Sequence, residues 1–294
     1  MMQVQATESS REHMANAQSS STPIRFDSAR AAAWRKWFHI LEAGAQPLSD
    51  RMVALAGIEP GSRVLDIATG LGEPAVTAAR RAAPDGHVLG IDLSPDMLAF
   101  ARSRAVEAGL RNLEFREMDA NALDLPTAAF DAVLSRWGLM FIPDLAGALT
   151  RIHACLAPGG RFVAAVWGPP ETAPAVSLGD RIVRAELGLA AGNEGPMSPF
   201  ALSDVDAFAK TVGGAGFSDV AGEWIDLEYR FDDAATFTQF RRERSGPLNQ
   251  EIAHFPEAEK DAAWAKVTEA AQAYAGPDGR LRVTNRAYCL SASV

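Results

Sequence analysis

The sequence predicts an α/β fold: a doubly wound, seven-stranded, mostly parallel sheet with helical insertions lying over its mouth as lids. Three observations lead there. Short apolar, β-branched runs alternate with helical segments at regular spacing between residues 62 and 167, the pattern of successive right-handed βαβ units. The first run ends in a glycine loop, "ATGLGEPA", that opens a helix. After Trp167 the alternation lapses into Pro/Gly-rich and helical stretches, and strand patterns return only at 217–231 and 281–294. A chain of 294 residues, 48% of them apolar, has ample material for one large core.

Taken in order, residues 1–23 are polar and rich in Ser, Gln and Ala, and are expected to be disordered. Trp34, Trp37, Phe38, Leu41, Leu48, Met52, Val53 and Leu55 recur at helical spacing, so residues 24–58 read as two lid helices, with a break expected near Gly44–Pro47. The core follows over 59–168. "SRVLDIA" (62–68) is a buried strand, and "EPAVTAARRAA" (73–83) a helix with Pro74 in its first turn. "HVLGIDL" (87–93) is the second strand, and Ser94-Pro95-Asp96 an N-cap with an N1 proline. "LEFREMD" (113–119) and "FDAVLSRW" (130–137) are strands, and "DLAGALTRIHACLA" (144–157) is a helix expected to stop at "PGG" before a fifth strand, "RFVAAVW" (161–167). Residues 169–202 read as a lid insertion holding one helix near 176–189. Residues 203–231 continue the core with a helix and a strand, 232–280 form a helical insertion, and 281–294 form the last strand.

Composition narrows the function classes. A formal charge of −9 leaves no electrostatic footprint for nucleic acid or an anionic membrane. No run of 18 apolar residues exists and the N-terminus lacks an apolar h-region, so a cytoplasmic protein without a membrane span is expected. Cys155 and Cys289 stand far apart with no Cys/His cluster, which favours two reduced, buried thiols and no metal site.

The glycine loop carries the first functional signal. Gly70-Leu71-Gly72-Glu73-Pro74-Ala75 fits G-x-G-x-x-G/A, the dinucleotide fingerprint. Asp66, four residues earlier, does not suit a pyrophosphate: like charges in a low-dielectric cleft repel by on the order of several kcal/mol. A cationic ligand lacking phosphate would be favoured there, and S-adenosylmethionine carries an ammonium, a sulfonium and no phosphate. Asp92, about 20 residues on, is placed to accept from ribose hydroxyls, a feature shared with NAD enzymes. Asp119-Ala120, closing the third strand, offers an acceptor near an adenine amino group.

"VLDIATGLGEPA", "VLGIDLSPDML", "FREMDANAL", "FDAVLSRWGLMF" and "ACLAPGGRFV" together resemble the successive motifs of class I S-adenosylmethionine-dependent methyltransferases, and most resemble the ubiquinone/menaquinone C-methyltransferase-like subset, over about residues 60–168. The resemblance implies S-adenosyl-L-methionine as cofactor. It implies that Asp66, Ala68, Gly70 and Gly72 line the methionine moiety, Asp92 holds the ribose, and Leu93, Met97, Asp119 and Ala120 frame the adenine. The backbone of Ser135 and Arg136 would border the transferable methyl, and the last strand would run antiparallel between the fifth and sixth. Leu71 departs from the small polar residue frequent at its position.

The acceptor is less legible. Phe26, Trp34, Trp37, Trp137, Met140 and Phe141 are candidate substrate-binding residues, with Met197, Phe200, Phe237 and Phe240 as further lining, which suits a small, largely apolar phenol, quinol or other secondary metabolite. His39 and His254 are candidate bases for O- or C-methylation. Plainer readings stand beside these: Asp119 as a loop cap, Trp34 and Trp37 as helix core, Glu73 as a complement to a helix dipole, His87 as structural, His153 as a rim residue, and "RRER" (241–244) as a solvated helix face. A nicotinamide-dependent oxidoreductase and a non-catalytic cofactor-binding homologue remain as alternatives, and a homodimer stays open.

Overall fold

The computed structural model describes residues 28–192 and 197–294; the tail of residues 1–23 and Phe26 lie outside the described residues. Among these, seven strands form one sheet: β1 (Arg63–Ile67), β2 (His87–Asp92), β3 (Leu113–Glu117), β4 (Phe130–Arg136), β5 (Leu156–Trp167), β6 (Ser218–Phe231) and β7 (Leu281–Ser293). Their order is β3-β2-β1-β4-β5-β7-β6. β1 to β5 pair in parallel, and β7 runs antiparallel to both β5 and β6. The helices are α1 (Ser28–Lys36), α2 (Phe38–Leu55), α3 (Ala75–Ala82), α4 (Pro95–Glu107), α5 (Leu145–Cys155), α6 (Pro174–Glu186), α7 (Val205–Gly214), α8 (Ala234–Arg244), α9 (Gly246–Glu251) and α10 (Glu257–Ala271).

The central strands are apolar on both faces because helices cover both. Val64, Leu65, Ile67, Val133, Leu134, Phe162 and Val163 are fully buried. From β1 the chain winds outward to β2 and β3, then returns to place β4 on the other side of β1. That reversal opens a crevice at the carboxyl ends of β1 and β4, where open α/β sheets bind ligands. α4 enters the crevice as expected, with Ser94 as N-cap accepting from the Met97 N–H and Pro95 at N1.

Two boundaries differ from expectation. The N-terminal helices break at Trp37, not near Gly44–Pro47; α2 runs unbroken through both residues. Pro47 and Ala43, one turn before it, lie on the exposed face, so the carbonyl that loses its N–H partner there faces water. Gly44 is buried for packing: a Cβ at that position would sit 2.5 Å from the Tyr229 ring of β6. The fifth strand starts at Leu156 rather than 161. Leu156 pairs with Phe130, and the "PGG" segment forms an irregularity within β5, with the Gly159 N–H donating to the Val294 carbonyl.

α6, α8 and α10 pack together beyond β7 as a helical lobe. Phe237, Phe240, Trp264 and Val267 are buried inside it, so Phe237 and Phe240 are core residues and not pocket lining. The run 241–244 is likewise no solvated face. Arg241 is buried, bonded to Asp180, Ser245 and the Ala175 carbonyl, and Arg244 is half-buried; Arg242 and Glu243 reach outward, to Asp261 and Lys36. Both cysteines are buried and free, and burial pushes the Cys289 thiol up to about 12.

Candidate active site

At the end of β1 the chain puts a carboxylate where an apolar strand residue would ordinarily sit. Asp66 is fully buried; its Oδ2 accepts from the Ala75 N–H at 3.1 Å, the first residue of α3. Its Oδ1 is buried without a hydrogen-bond partner, and so is the Thr69 hydroxyl nearby. Burial pushes the Asp66 carboxyl up to about 7, against the opposing pull of the Arg136 charge and of the Thr69 hydroxyl, which lies close by without the alignment of a hydrogen bond.

The glycine loop is tied down around this point. Gly70 and Gly72 both take positive φ, and a Cβ on Gly72 would crowd Ala101 and Phe115 at 3.1 and 3.3 Å. The Gly70 N–H donates to Asp92 Oδ2 and the Ser94 N–H to Oδ1, each at 2.9 Å. Burial raises the Asp92 carboxyl and these backbone bonds counter it. Arg104 braces the loop by donating to the Leu71 carbonyl and to Glu73, whose other oxygen accepts from the Thr77 hydroxyl. Glu73 is a strut of the α3 entrance. On the rim Leu93 is 61% exposed while Met97 is buried. Asp119 caps the turn after β3, its Oδ1 accepting from the Asn121 N–H and amide, with Ala120 half-buried beside it.

β4 delivers the opposite wall. The Ser135 hydroxyl donates to the Ile67 carbonyl, locking the ends of β4 and β1 together. Arg136 pairs with Glu42 of α2 through both terminal nitrogens, at 2.6 and 3.2 Å, and also donates to the Ser49 hydroxyl. Ala68 and Trp137, the residues just beyond β1 and β4, both take left-handed φ, 55° and 59°. Such conformations in non-glycine residues concentrate at functional sites. A Cβ on Gly138 would lie 2.4 Å from that of Ala68, so the two walls meet at a glycine. Trp137 stacks on Trp167 with ring centroids 4.2 Å apart, and its indole Nε1 is buried without a hydrogen-bond partner.

Other expected site residues fall elsewhere. Trp34 packs with Ala31, Leu71 and Met97, which puts α1 on the glycine loop. Trp37 is core: buried, edge-on to Phe240, its Nε1 donating to Glu243 at 2.7 Å. Met140 is buried and Phe141 half-buried in the turn after β4. His39 is exposed on the solvent-facing stripe of α2 with Ala43 and Asp50, and His254 is exposed against Phe255 beyond α9. His153 meets Phe217 edge-on at the rim of α5, and exposed His87 lies 3.8 Å from Glu114.

Thr69, Trp167 and Tyr229 are not singled out by the sequence, and Arg244 enters it only within the 241–244 run. A signal existed for the last: Phe237, Phe240, Arg241 and Arg244 follow i, i+3, i+4, i+7 spacing and share one helix face.

Comparisons with known proteins bear on the family and the fold. Residues 64–160 match the family described as a methyltransferase domain. The chain is 38% identical over 180 residues to the demethylmenaquinone methyltransferase of Thermus thermophilus, covering 57% of this chain and 80% of that protein. It is 40% identical over 116 residues to the aklanonic acid methyltransferase of Streptomyces sp. strain C5, covering 40% of this chain and 53% of that protein. It therefore spans about half the length of some curated relatives and most of another. The crystal structure of the YcgJ protein from Bacillus subtilis has the same fold, with a TM-score of 0.51 and 19% identity over 83% of this chain and 97% of that one. The chain belongs to the class I S-adenosylmethionine-dependent methyltransferases, of the menaquinone-methyltransferase-like type, and its cofactor is S-adenosylmethionine. No helix among the described residues is long and apolar enough to cross a membrane.

Proposed function

We propose that the protein methylates a small, largely apolar acceptor at oxygen or carbon, and that the crevice at the ends of β1 and β4 is where it does so. The observation that carries this reading is the partnerless, fully buried Asp66 Oδ1 beside the glycine loop. A buried carboxylate oxygen is costly without a partner. The cofactor's ammonium would supply one, whereas a pyrophosphate would aggravate the cost.

The residues present fit that cofactor. Each Asp92 oxygen accepts one backbone N–H and retains a lone pair for a ribose hydroxyl. Leu71, Leu93 and Met97 offer an apolar surface for the adenine, with Asp119 and Ala120 at its edge. The cofactor supplies an electrophilic methyl on a sulfonium. The chain's task is to bring the acceptor in line with that methyl and to keep water out. The Ser135–Arg136 backbone borders the reaction point in this reading. The Trp137–Trp167 stack gives a flat apolar wall, with the free indole N–H as a donor for an acceptor oxygen. By their names, two relatives act on aklanonic acid and demethylmenaquinone, which supports a small-molecule acceptor here.

Calorimetry with S-adenosylmethionine, its demethylated product and NADP tests the cofactor site. The first two should bind and NADP should not. Asp92→Ala should weaken cofactor binding by about 1.5–3 kcal/mol, roughly a 10- to 100-fold rise in Kd. Unchanged affinity in that variant would remove the site as assigned. Isotope-labelled methyl transfer across a metabolite library separates a catalyst from a non-catalytic homologue.

A further inference from the structure

Arg244 ends α8 with its guanidinium turned into the protein instead of out to solvent. The guanidinium carbon lies 3.9 Å over the Trp34 ring and 4.7 Å from the centroid of Phe240. The buried Nε has no hydrogen-bond partner, and no carboxylate among the described residues pairs with the side chain. The cations around it are otherwise engaged: Arg241 by Asp180 and Arg136 by Glu42. Burial and the nearby Arg241 and Arg30 charges push Arg244 down to about 9, while Tyr229 is the neighbour that holds it up. Tyr229 is buried beside it.

The place of this pair in the fold gives it meaning. Trp34, beneath the guanidinium, packs on Leu71 of the glycine loop. Tyr229 lies against Gly44 of α2 and within the electrostatic reach of Arg136 and Glu42, at the end of β4. Arg244 and Tyr229 therefore stand among α1, α2 and α8, between the glycine loop and the end of β4. We infer that Arg244 and Tyr229 bind the carboxylate of an aromatic or polycyclic acceptor, Arg244 through its guanidinium fork and Tyr229 through its hydroxyl. A single guanidinium with no carboxylate partner among the described residues matches a monoanion better than a dianionic phosphate. A planar fork stacked on an aromatic ring favours a carboxylate on a flat scaffold.

This assignment rests on the crevice being the methyl-transfer site, and binding measurements keep the two readings apart. With the protein saturated by S-adenosylhomocysteine, benzoate, 2-naphthoate and anthracene-2-carboxylate are each titrated against the matching amide by calorimetry. At least one acid should bind ten-fold or more tightly than its amide. Arg244→Gln should reduce that preference to within two-fold, Arg244→Lys should keep part of it, and Tyr229→Phe should lower it several-fold. S-adenosylhomocysteine affinity should stay within two-fold in all three variants. Because no carboxylate among the described residues pairs with the Arg244 guanidinium, Arg244→Gln should raise the melting temperature of the ligand-free protein; a purely structural arginine would lower it. No acid preference in the wild type, or a preference that survives Arg244→Gln, overturns the assignment. Failure of S-adenosylhomocysteine to bind at all overturns the crevice reading beneath it.

Discussion

Asp66 concentrates the chemistry of the site in one side chain. Its folded-state carboxyl lies near 7 against an ordinary 3.8, because burial disfavours the charge. The unfolded chain therefore ionises first as pH rises, and this group's contribution to stability, full below about 3.8, is lost on the way to about 7. Asp66→Asn removes the ionisation. It should raise the stability of the ligand-free protein at pH 8 by on the order of 2–4 kcal/mol while leaving it little changed at pH 4. Cofactor binding has the opposite sign. An ammonium favours the ionised carboxylate, so affinity should fall as pH drops below about 7 and binding should release a proton near neutrality. Calorimetry in buffers of different ionisation enthalpy reads that proton directly. A wild type that releases none, or an Asp66→Asn variant with unaltered affinity, would place the ammonium elsewhere.

At the scale of elements, α2 links the lid to the catalytic wall. Its glycine face rests on Tyr229, and on either side of that glycine Glu42 and Ser49 hold Arg136 at the end of β4. Gly44→Ala sets two effects against each other: helix propensity gains about 1 kcal/mol, while a methyl 2.5 Å from the Tyr229 ring costs about 1–3 kcal/mol through overpacking. The steric term should win, with a lower melting temperature and a weakened Arg136–Glu42 clamp. A higher melting temperature would show that the ring yields. The same glycine explains why this helix was misread: a buried packing glycine and an exposed proline look in sequence like a break. The βα units were legible because strands buried on both faces must be apolar runs, and because Ser94-Pro95 announces a helix start. Of the proposed site, the sequence singles out the positions where chemistry demands a residue type, as at Asp66, Gly70, Gly72 and Asp92. The left-handed backbone of Ala68 and Trp137 leaves no trace in composition, since neither residue type signals it. Charge alone makes Arg244 look solvent-facing, whereas its helical spacing with Phe237 and Phe240 puts it on the inward face.

At the scale of the whole molecule, β7 joins the cofactor half to the rest. It lies between β5 and β6, pairing from Arg161↔Ser293 to Trp167↔Ala287 on one side and along the length of β6 on the other. Along the strand, Leu281, Val283, Ala287 and Cys289 on one face and Leu290 on the other are fully buried. It also ties in the helical lobe: Asn285, fully buried in mid-strand, accepts the Ala175 N–H at the start of α6 and donates to the Val283 carbonyl, both at 2.8 Å. Asn285→Leu should leave the Ala175 N–H buried without a partner, at a cost of about 1–3 kcal/mol, and loosen α6 with the sheet intact. Removing residues 281–294 is a different event. Two strands lose their ladder partners at once, and the buried edges of β5 and β6 are left as unpaired donors and acceptors. The truncated chain should be insoluble, or should unfold without cooperativity, because more than the roughly 5–15 kcal/mol that holds a typical domain is withdrawn. A soluble truncation with a sharp transition at the parental melting temperature would show that β5 closes the sheet alone and that β6, β7 and the helical lobe form a separable addition.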